Sequence, residues 1–497
     1  MNMKMIDWIS KSKLWWLIFI GLWLGLSILR CHNYSRYPGV NHAEELLYSW
    51  SGIYLIEEGV PVSWSTLDYP KENLIYDGMV GTGRNTIPAK LYRPWLDEPP
   101  LYSLLSGGAA HLFGDNRKEV LSVAYTRIPS IVVGVISILV LGLIVYKMFG
   151  KAMSLLTMLV YGLSPIMTFG SRLSVPENMI AFGVIIGLYL VYEYTKKPRI
   201  LIAVLIGLIT IILGLMKPTG FFMAPLFIFY AFKNKRWSDI VIIVAAVIIG
   251  VGLFGWYGYS IDWELFKKIV AIQGTRFAGW TGLGYILTSP AYDIFEMFDG
   301  WYIFSLIWAV YVLFKNNLKR EWKMVSMFTV YWLLVALLAG TEQDLLPWYR
   351  YPIFPLLSIF GAYGLINTFK NPTFFKLTFL FGLMMTGRFY MANEFRSTTP
   401  TLVFRIMMFV ILVPSLLDAI YKKSIYKNMS RIIVVVFMII ASWENARLLY
   451  NMFELRCESK ECLIGKSTWL SDIKMPVLWR WLKVNDGDGT IQKTWWF

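Results

Sequence analysis

The stretch Asn41-His42-Ala43-Glu44-Glu45-Leu46-Leu47-Tyr48 sets two adjacent carboxylates just beyond the first long apolar run of the chain. Glu177 and the basic residues Arg172, Lys217 and Arg350 stand at the ends of other apolar runs, and Asp97, Glu98 and Arg276 lie in the connections between runs. Carboxylates take up protons, and fixed cations hold negative charge as it develops. Gathered at one rim of a membrane, the two kinds of group suit chemistry on a substrate that is half lipid and half polar, with its apolar part between helices and its head among the loops.

Each residue also fits a plainer role. Asn41 and Glu44 have the spacing of a capping box, as do Ser174 and Glu177 with Pro176 between them. Acids in a first turn also favour the helix dipole. Lys217, just before Pro218, suits a lysine that snorkels from the end of a span, and Arg350, after Trp348 and Tyr349, a basic anchor in an aromatic belt. Arg172 is placed to pair with Glu177.

The elements that must position these groups follow from composition. Hydrophobic residues make up 57% of the 497, which excludes an ordinary soluble domain. A net charge of +15 is compatible with a nucleic-acid binder, but the basic residues form short clusters between apolar runs, so no nucleic acid is expected. Three cysteines and three histidines without CxxC or HExxH give no metal or redox framework. A divalent metal held by His42, Glu44 and Glu177 is left open.

Apolar windows of roughly 20 residues lie near 14–29, 122–146, 152–169, 178–195, 200–216, 219–232, 240–257, 301–314, 324–340, 351–368, 374–390, 402–421 and 431–450. The first follows Lys11 and Lys13 and has no small-residue cleavage site after it, so it reads as an anchor. The basic segments KMFGK, KKPR, KNKR, KNNLKREWK, KNPTFFK and KKSIYKNMSR fall after every second span, as cytoplasmic loops should when the N-terminus is cytoplasmic. The opposite connections are then extracytoplasmic: a first loop over 30–121, a second large loop over 259–300, four short turns, and the tail 451–497. The fold class expected is an all-α polytopic membrane protein of about 13 transmembrane helices, with a transmembrane domain over 1–450 and a short tail. The deep parts of the spans carry almost no charge, unlike those of a transporter.

With the topology in place, EELLYSWSGIYLIEEG resembles the first-loop motif of the dolichyl-phosphate-mannose–protein mannosyltransferase-like and aminoarabinose-transferase-like superfamily, with Glu44, Glu45, Tyr48 and Gly59 at its places. LDEPPLYSLLSGGAAHLFG, SPIMTFGSRLSVPENMIAFG and WYRYPIFPLLSIFGAYGL are similar to later family segments, and the likeness runs over roughly 40–235 and returns near 347–366. It implies a GT-C-like fold with extracytoplasmic loop helices. It also implies an inverting glycosyltransferase that takes a sugar from a polyprenyl-phosphate carrier and gives it to a protein, lipid or polysaccharide acceptor.

For that chemistry Glu44, where the family usually has Asp, is the expected base, with Glu45 beside it. Lys217, Arg276, Arg350 and Arg172 are the cations for the carrier phosphate, and Tyr48, Asp97, Glu98 and Glu177 the substrate contacts. Some relatives have a lysine where Glu98 stands, which shifts the phosphate onto the other cations. A lipid-linked-sugar flippase or exporter and a surface-polysaccharide ligase or polymerase remain as alternatives. An oligosaccharyltransferase normally carries a WWDYG signature, which TWWF is not. In the tail, Cys457 and Cys462 are five apart where a disulfide is allowed, and MPVLWRWLKVNDGDG reads as an interfacial helix.

An odd number of spans puts the two termini on opposite sides. A reporter fused after Phe497 is expected to be active only outside the cytoplasm; activity inside would remove a span and move several candidate residues to the other face.

Overall fold

The structure, a computed structural model, describes residues 14–38, 44–82, 85–113, 123–275, 286, 294–297, 299–339, 347–396 and 400–457. The chain is a multi-pass integral membrane protein built of helices. In order these are α1 (Leu14–Cys31), α2 (Glu44–Glu58), α3 (Pro100–Leu112), α4 (Val123–Thr126), α5 (Ile128–Phe149), α6 (Lys151–Leu163), α7 (Pro165–Gly170), α8 (Glu177–Lys196), α9 (Ile200–Met216) and α10 (Met223–Lys233). There follow α11 (Trp237–Ile261), α12 (Trp263–Gly274), α13 (Trp301–Leu313), α14 (Arg320–Ala339), α15 (Phe354–Lys370), α16 (Phe374–Arg396), α17 (Thr401–Tyr421) and α18 (Ser424–Cys457).

Among the described residues, 8 helices are long and apolar enough to cross a membrane, and Lys151–Leu163, Ile200–Met216 and Trp301–Leu313 are shorter apolar helices. Each apolar window of the sequence coincides with helix, but not always with one rod. The window 152–169 breaks at Ser164, whose ψ of 121° is the extended geometry a following proline imposes, so α6 and α7 are separate. The window 219–232 begins as a tight turn, Pro218–Phe222, before α10.

The first loop holds an element the helical reading did not place, a three-stranded antiparallel sheet of β1 (Ser63–Trp64), β2 (Leu74–Thr82) and β3 (Asn85–Tyr92) in the order β1-β3-β2. Asp77 faces Lys90 across it. Beneath the sheet, α2 and α3 cross at Gly52 and Gly107: a Cβ on Gly107 would sit 2.6 Å from the Ile53 nitrogen, so the two backbones touch. The amphipathic α12, capped by Asp262 accepting from the Leu265 amide at 3.0 Å, packs Leu265, Phe266 and Ile269 against Leu67, Tyr69 and Leu96 of the same loop.

Buried arginines tie the helix ends together. Arg172 donates to the carbonyls of Leu29 (2.7 Å), Arg30 (3.0 Å) and Tyr37 (3.0 Å), satisfying the last turn of α1. Arg30 donates to the Gly134 and Tyr161 carbonyls on α5 and α6 at 2.7 and 3.0 Å.

A second polar knot binds the C-terminal helices. Asp299 accepts from the Trp301 amide and from Asn445 Nδ2, each at 3.1 Å, and Asn445 also donates to the Leu163 carbonyl at 3.1 Å. Arg388 donates to the Asp299 carbonyl at 3.0 Å and to Asn445 Oδ1 at 2.5 Å. Burial pushes the Asp299 carboxyl up to about 7 against the opposing pull of Arg388 and the nearby donors. Its ordinary value is about 3.9, so the folded state holds this proton more tightly than the unfolded chain. The stability linked to it is complete below the lower value and is lost as pH rises through the higher one. The melting temperature of the purified protein is expected to fall progressively between about pH 4 and 7. The fall should be absent in Asp299→Asn, and an identical profile in both proteins would refute the assignment.

Candidate active site

The first turn of α2 brings Glu45 inside the bundle, 2% exposed. Both its oxygens are taken by Arg127, Nε to Oε1 at 2.5 Å and Nη2 to Oε2 at 2.8 Å, and Oε1 also accepts from the Ser174 amide at 3.0 Å. Arg127 lies between α4 and α5 and donates its remaining nitrogen to the Tyr34 carbonyl at 2.6 Å. One carboxylate thus joins α2, the start of α5 and the segment leading into α8. Glu44 opens α2, and neighbours on a helix point about 100° apart. The Glu44 side chain, His42, Asn41 and Arg276 lie outside the described residues, as do the Cys457 side chain and Cys462.

A chain of hydroxyls backs this junction. Ser49 bonds Ser106 at 2.6 Å, Ser106 bonds Ser174 at 2.8 Å, and Ser174 donates to the Thr126 carbonyl at 2.8 Å. Tyr102 bonds Ser130 at 3.0 Å, and its ring meets Tyr48 edge-on at 5.1 Å. Tyr48 is fully enclosed between Tyr102 and Trp95.

The capping box expected at Ser174 and Glu177 does not form. Pro176 occupies the cap position of α8 without a side-chain cap bond, the Ser174 amide is spent on Glu45, and Glu177 reaches across to Lys217 instead. Nor does Arg172 pair with Glu177, since its guanidinium is turned to the carbonyls of α1.

Lys217 ends α9 in extended backbone before Pro218. Its ammonium is 2.5 Å from Glu177 and 4.0 Å from Glu98, and stands 4.7 Å over the ring of Tyr349. Burial opposes its charge, but Glu177, Tyr349, Tyr48 and Glu98 outweigh that and hold the ammonium well above lysine's ordinary value. It is a permanent buried cation between two carboxylates and an aromatic face.

Asp97, next to Glu98, is committed to the loop. It accepts from Ser65 and Tyr69 at 2.6 Å each, and Tyr69 in turn accepts from the Leu96 amide at 2.8 Å. Arg350 is fully buried in the turn Pro347–Ile353 before α15. The adjacent Tyr351 lies in the fields of Glu296, Glu177, Glu45 and Arg350, so residues far apart in sequence share one buried region. Glu296, 2% exposed in the turn Ile294–Met297, was missed in the sequence, where it has neither a motif nor a periodic helix to carry it. Among the described residues no three His, Cys, Asp or Glu side chains gather as a metal site.

The chain is similar to known proteins in part of its sequence and in its fold. Residues 97–257 match the family described as dolichyl-phosphate-mannose-protein mannosyltransferase. The fold is similar to that of ArnT from Cupriavidus metallidurans. The crystal structure of ArnT bound to undecaprenyl phosphate gives a TM-score of 0.52 at 13% identity over 89% of this chain and 77% of that one. The apo structure gives 0.54 at 13% identity, over 89% and 76%. The chain has a fold of the GT-C type. Another GT-C structure, the arabinosyltransferase EmbB from Mycobacterium smegmatis, gives 0.54 at 12% identity over 88% of this chain and 40% of that one. No curated protein matches the chain. The family match spans Asp97, Glu98, Arg172, Glu177 and Lys217 and stops short of the α2 carboxylates and Arg350, so at those positions the GT-C comparison rests on fold alone.

Removing one member of a buried ion pair strands the other, at a cost of about 3–5 kcal/mol. Glu45→Ala is therefore expected to lower thermal stability strongly, and Glu45→Ala with Arg127→Met to recover much of the loss. Equal melting temperatures for Glu45→Ala and the parent would show that this pair does not hold α2 in place.

Proposed function

We propose that the chain is an inverting glycosyltransferase that moves a sugar from a polyprenyl-phosphate carrier to an acceptor on the extracytoplasmic face. The observation that carries this reading is the permanent Lys217 cation, buried beside Glu177 and Glu98 and sharing one region with Arg350. A site of this kind suits an anion that must be held while it departs. ArnT, of the same fold, was crystallised with undecaprenyl phosphate, which supports a lipid-phosphate carrier here.

In this reading Glu44 takes the proton of the acceptor hydroxyl, whose oxygen attacks the anomeric carbon opposite the phosphate. The bond from that carbon to the phosphate oxygen breaks, the electron pair leaves with the phosphate, and the configuration inverts. Lys217 and Arg350 hold the leaving group. An ammonium has three donors, so Lys217 can keep Glu177 and still reach a phosphate oxygen. Arg350 supplies a planar fork, which lysine cannot copy. Glu45 is an unsuitable base because both its oxygens already serve Arg127.

The test is release of polyprenyl phosphate by the purified protein from a polyprenyl-phosphate sugar. Glu44→Gln is expected to fold and to turn over about 100-fold or more slowly, the usual contribution of a positioned base, while Glu44→Asp keeps appreciable rate. Lys217→Met alone strands Glu177. The informative variant is Lys217→Met with Glu177→Gln, which should fold yet bind donor more weakly by roughly 1.5–3 kcal/mol. Parental rates in Glu44→Gln would move the base elsewhere, and parental donor affinity in the double variant would make Lys217 purely structural.

A further inference from the structure

The knot around Asp299 lies three residues beyond Glu296. The Gly300 amide donates to the Met297 carbonyl at 3.0 Å. Gly300 has φ +75°, and a Cβ there would lie 2.7 Å from the Leu383 carbonyl of α16. The backbone therefore lies directly on α16 at a point where only glycine fits. Arg388, one turn further along α16, holds the Asp299 carbonyl, and Asn445 of α18 holds its carboxylate. On the other side, the turn Ile294–Met297 packs on α7, as does the Arg350 turn Pro347–Ile353, and Glu296 is buried there within electrostatic reach of Tyr351.

We infer that Asp299, Gly300, Arg388 and Asn445 form a positioning clamp that fixes Glu296 beside the Arg350 turn and so sets the field around the cation that holds the leaving phosphate. The inference rests on the glycosyltransferase reading for its effect on rate, but the clamp itself is a statement about the backbone from 294 to 301. Asn445 is the keystone, because its amide touches Asp299, Arg388 and the Leu163 carbonyl at once. In this inference they are positioning residues, and Glu296 is the group they position.

Two measurements on the purified full-length protein test this. In the first, hydrogen exchange of a peptide covering 294–301 is compared between the parent and Asn445→Leu, with Asn445→Ser as a milder variant if the first folds poorly. Faster exchange confined to that segment, by about tenfold or more as expected for local opening, supports the clamp, and unchanged exchange overturns it. The second is a cycle of Asn445→Leu, Glu296→Gln and both together, followed by polyprenyl-phosphate release. Each single variant is expected to lower kcat by about tenfold, with donor KM held within about twofold, and the double variant to be no slower than Glu296→Gln alone. Losses that multiply would show that the cluster acts on rate without Glu296 and would overturn the inference. If the parent releases no polyprenyl phosphate, the donor reading fails, and the exchange result alone decides for or against the clamp.

Discussion

An ion pair sealed from water constrains the rest of this protein. Glu45 and Arg127 meet side-on with two hydrogen bonds, and the third donor to that carboxylate is the backbone of Ser174. A buried pair contributes little net stability against an apolar alternative, but a half-broken one is costly, so the three segments it joins cannot shift independently. The helix that opens with Glu44 and the helix that opens with Glu177 are therefore held in one fixed relation. Because Glu177 bonds Lys217, that relation extends to the end of α9.

The electrostatic pattern that results is alternating. Carboxylates of Glu98 and Glu177 flank one ammonium, and Glu45 is neutralised by its own arginine. In an interior of low effective dielectric such neighbours are felt strongly, which is why Lys217 stays charged despite complete burial. The charged groups are not scattered over a loop surface, as a solvated rim would have them. They are enclosed, with Tyr48, Trp95 and Tyr102 filling the space between α2, α3 and the loop.

Much of the architecture was legible in the sequence because a bilayer leaves few options: long apolar runs must be helices, and every window did coincide with helix. Proline gave away further detail only in part, marking the start of α3 and the end of α9 but hiding the break between α6 and α7 inside an apolar run. The small sheet escaped because Leu74–Tyr92 mixes glycine, proline and charge, with neither a clean alternation nor an apolar face of its own. Among the candidate residues, Glu177, Lys217, Glu98 and Arg350 could be picked out by type and position. Their pairing could not, since Glu177 and Lys217 are 40 residues apart and nothing local links them. Nor could the sequence show that Arg172 is turned to backbone carbonyls of α1, or that Asp97 accepts from the loop hydroxyls of Ser65 and Tyr69. Glu296 and Asp299 were invisible because their importance comes from where α16 and α18 arrive.

That last point bears on how the chain matures. Proteins of this size are made from the N-terminus onward and dock their parts in sequence. Asn445 belongs to α18, at the far end of the described chain, and α17 before it is a poor guide, with only 11% of its apolar window buried. Until α18 docks, the Leu163 carbonyl, the Asp299 carboxylate and one donor of Arg388 lack the amide that later joins them. Truncated or stalled chains would thus expose a polar gap in an otherwise apolar wall, a signature by which quality-control machinery in the membrane could tell an unfinished protein from a finished one.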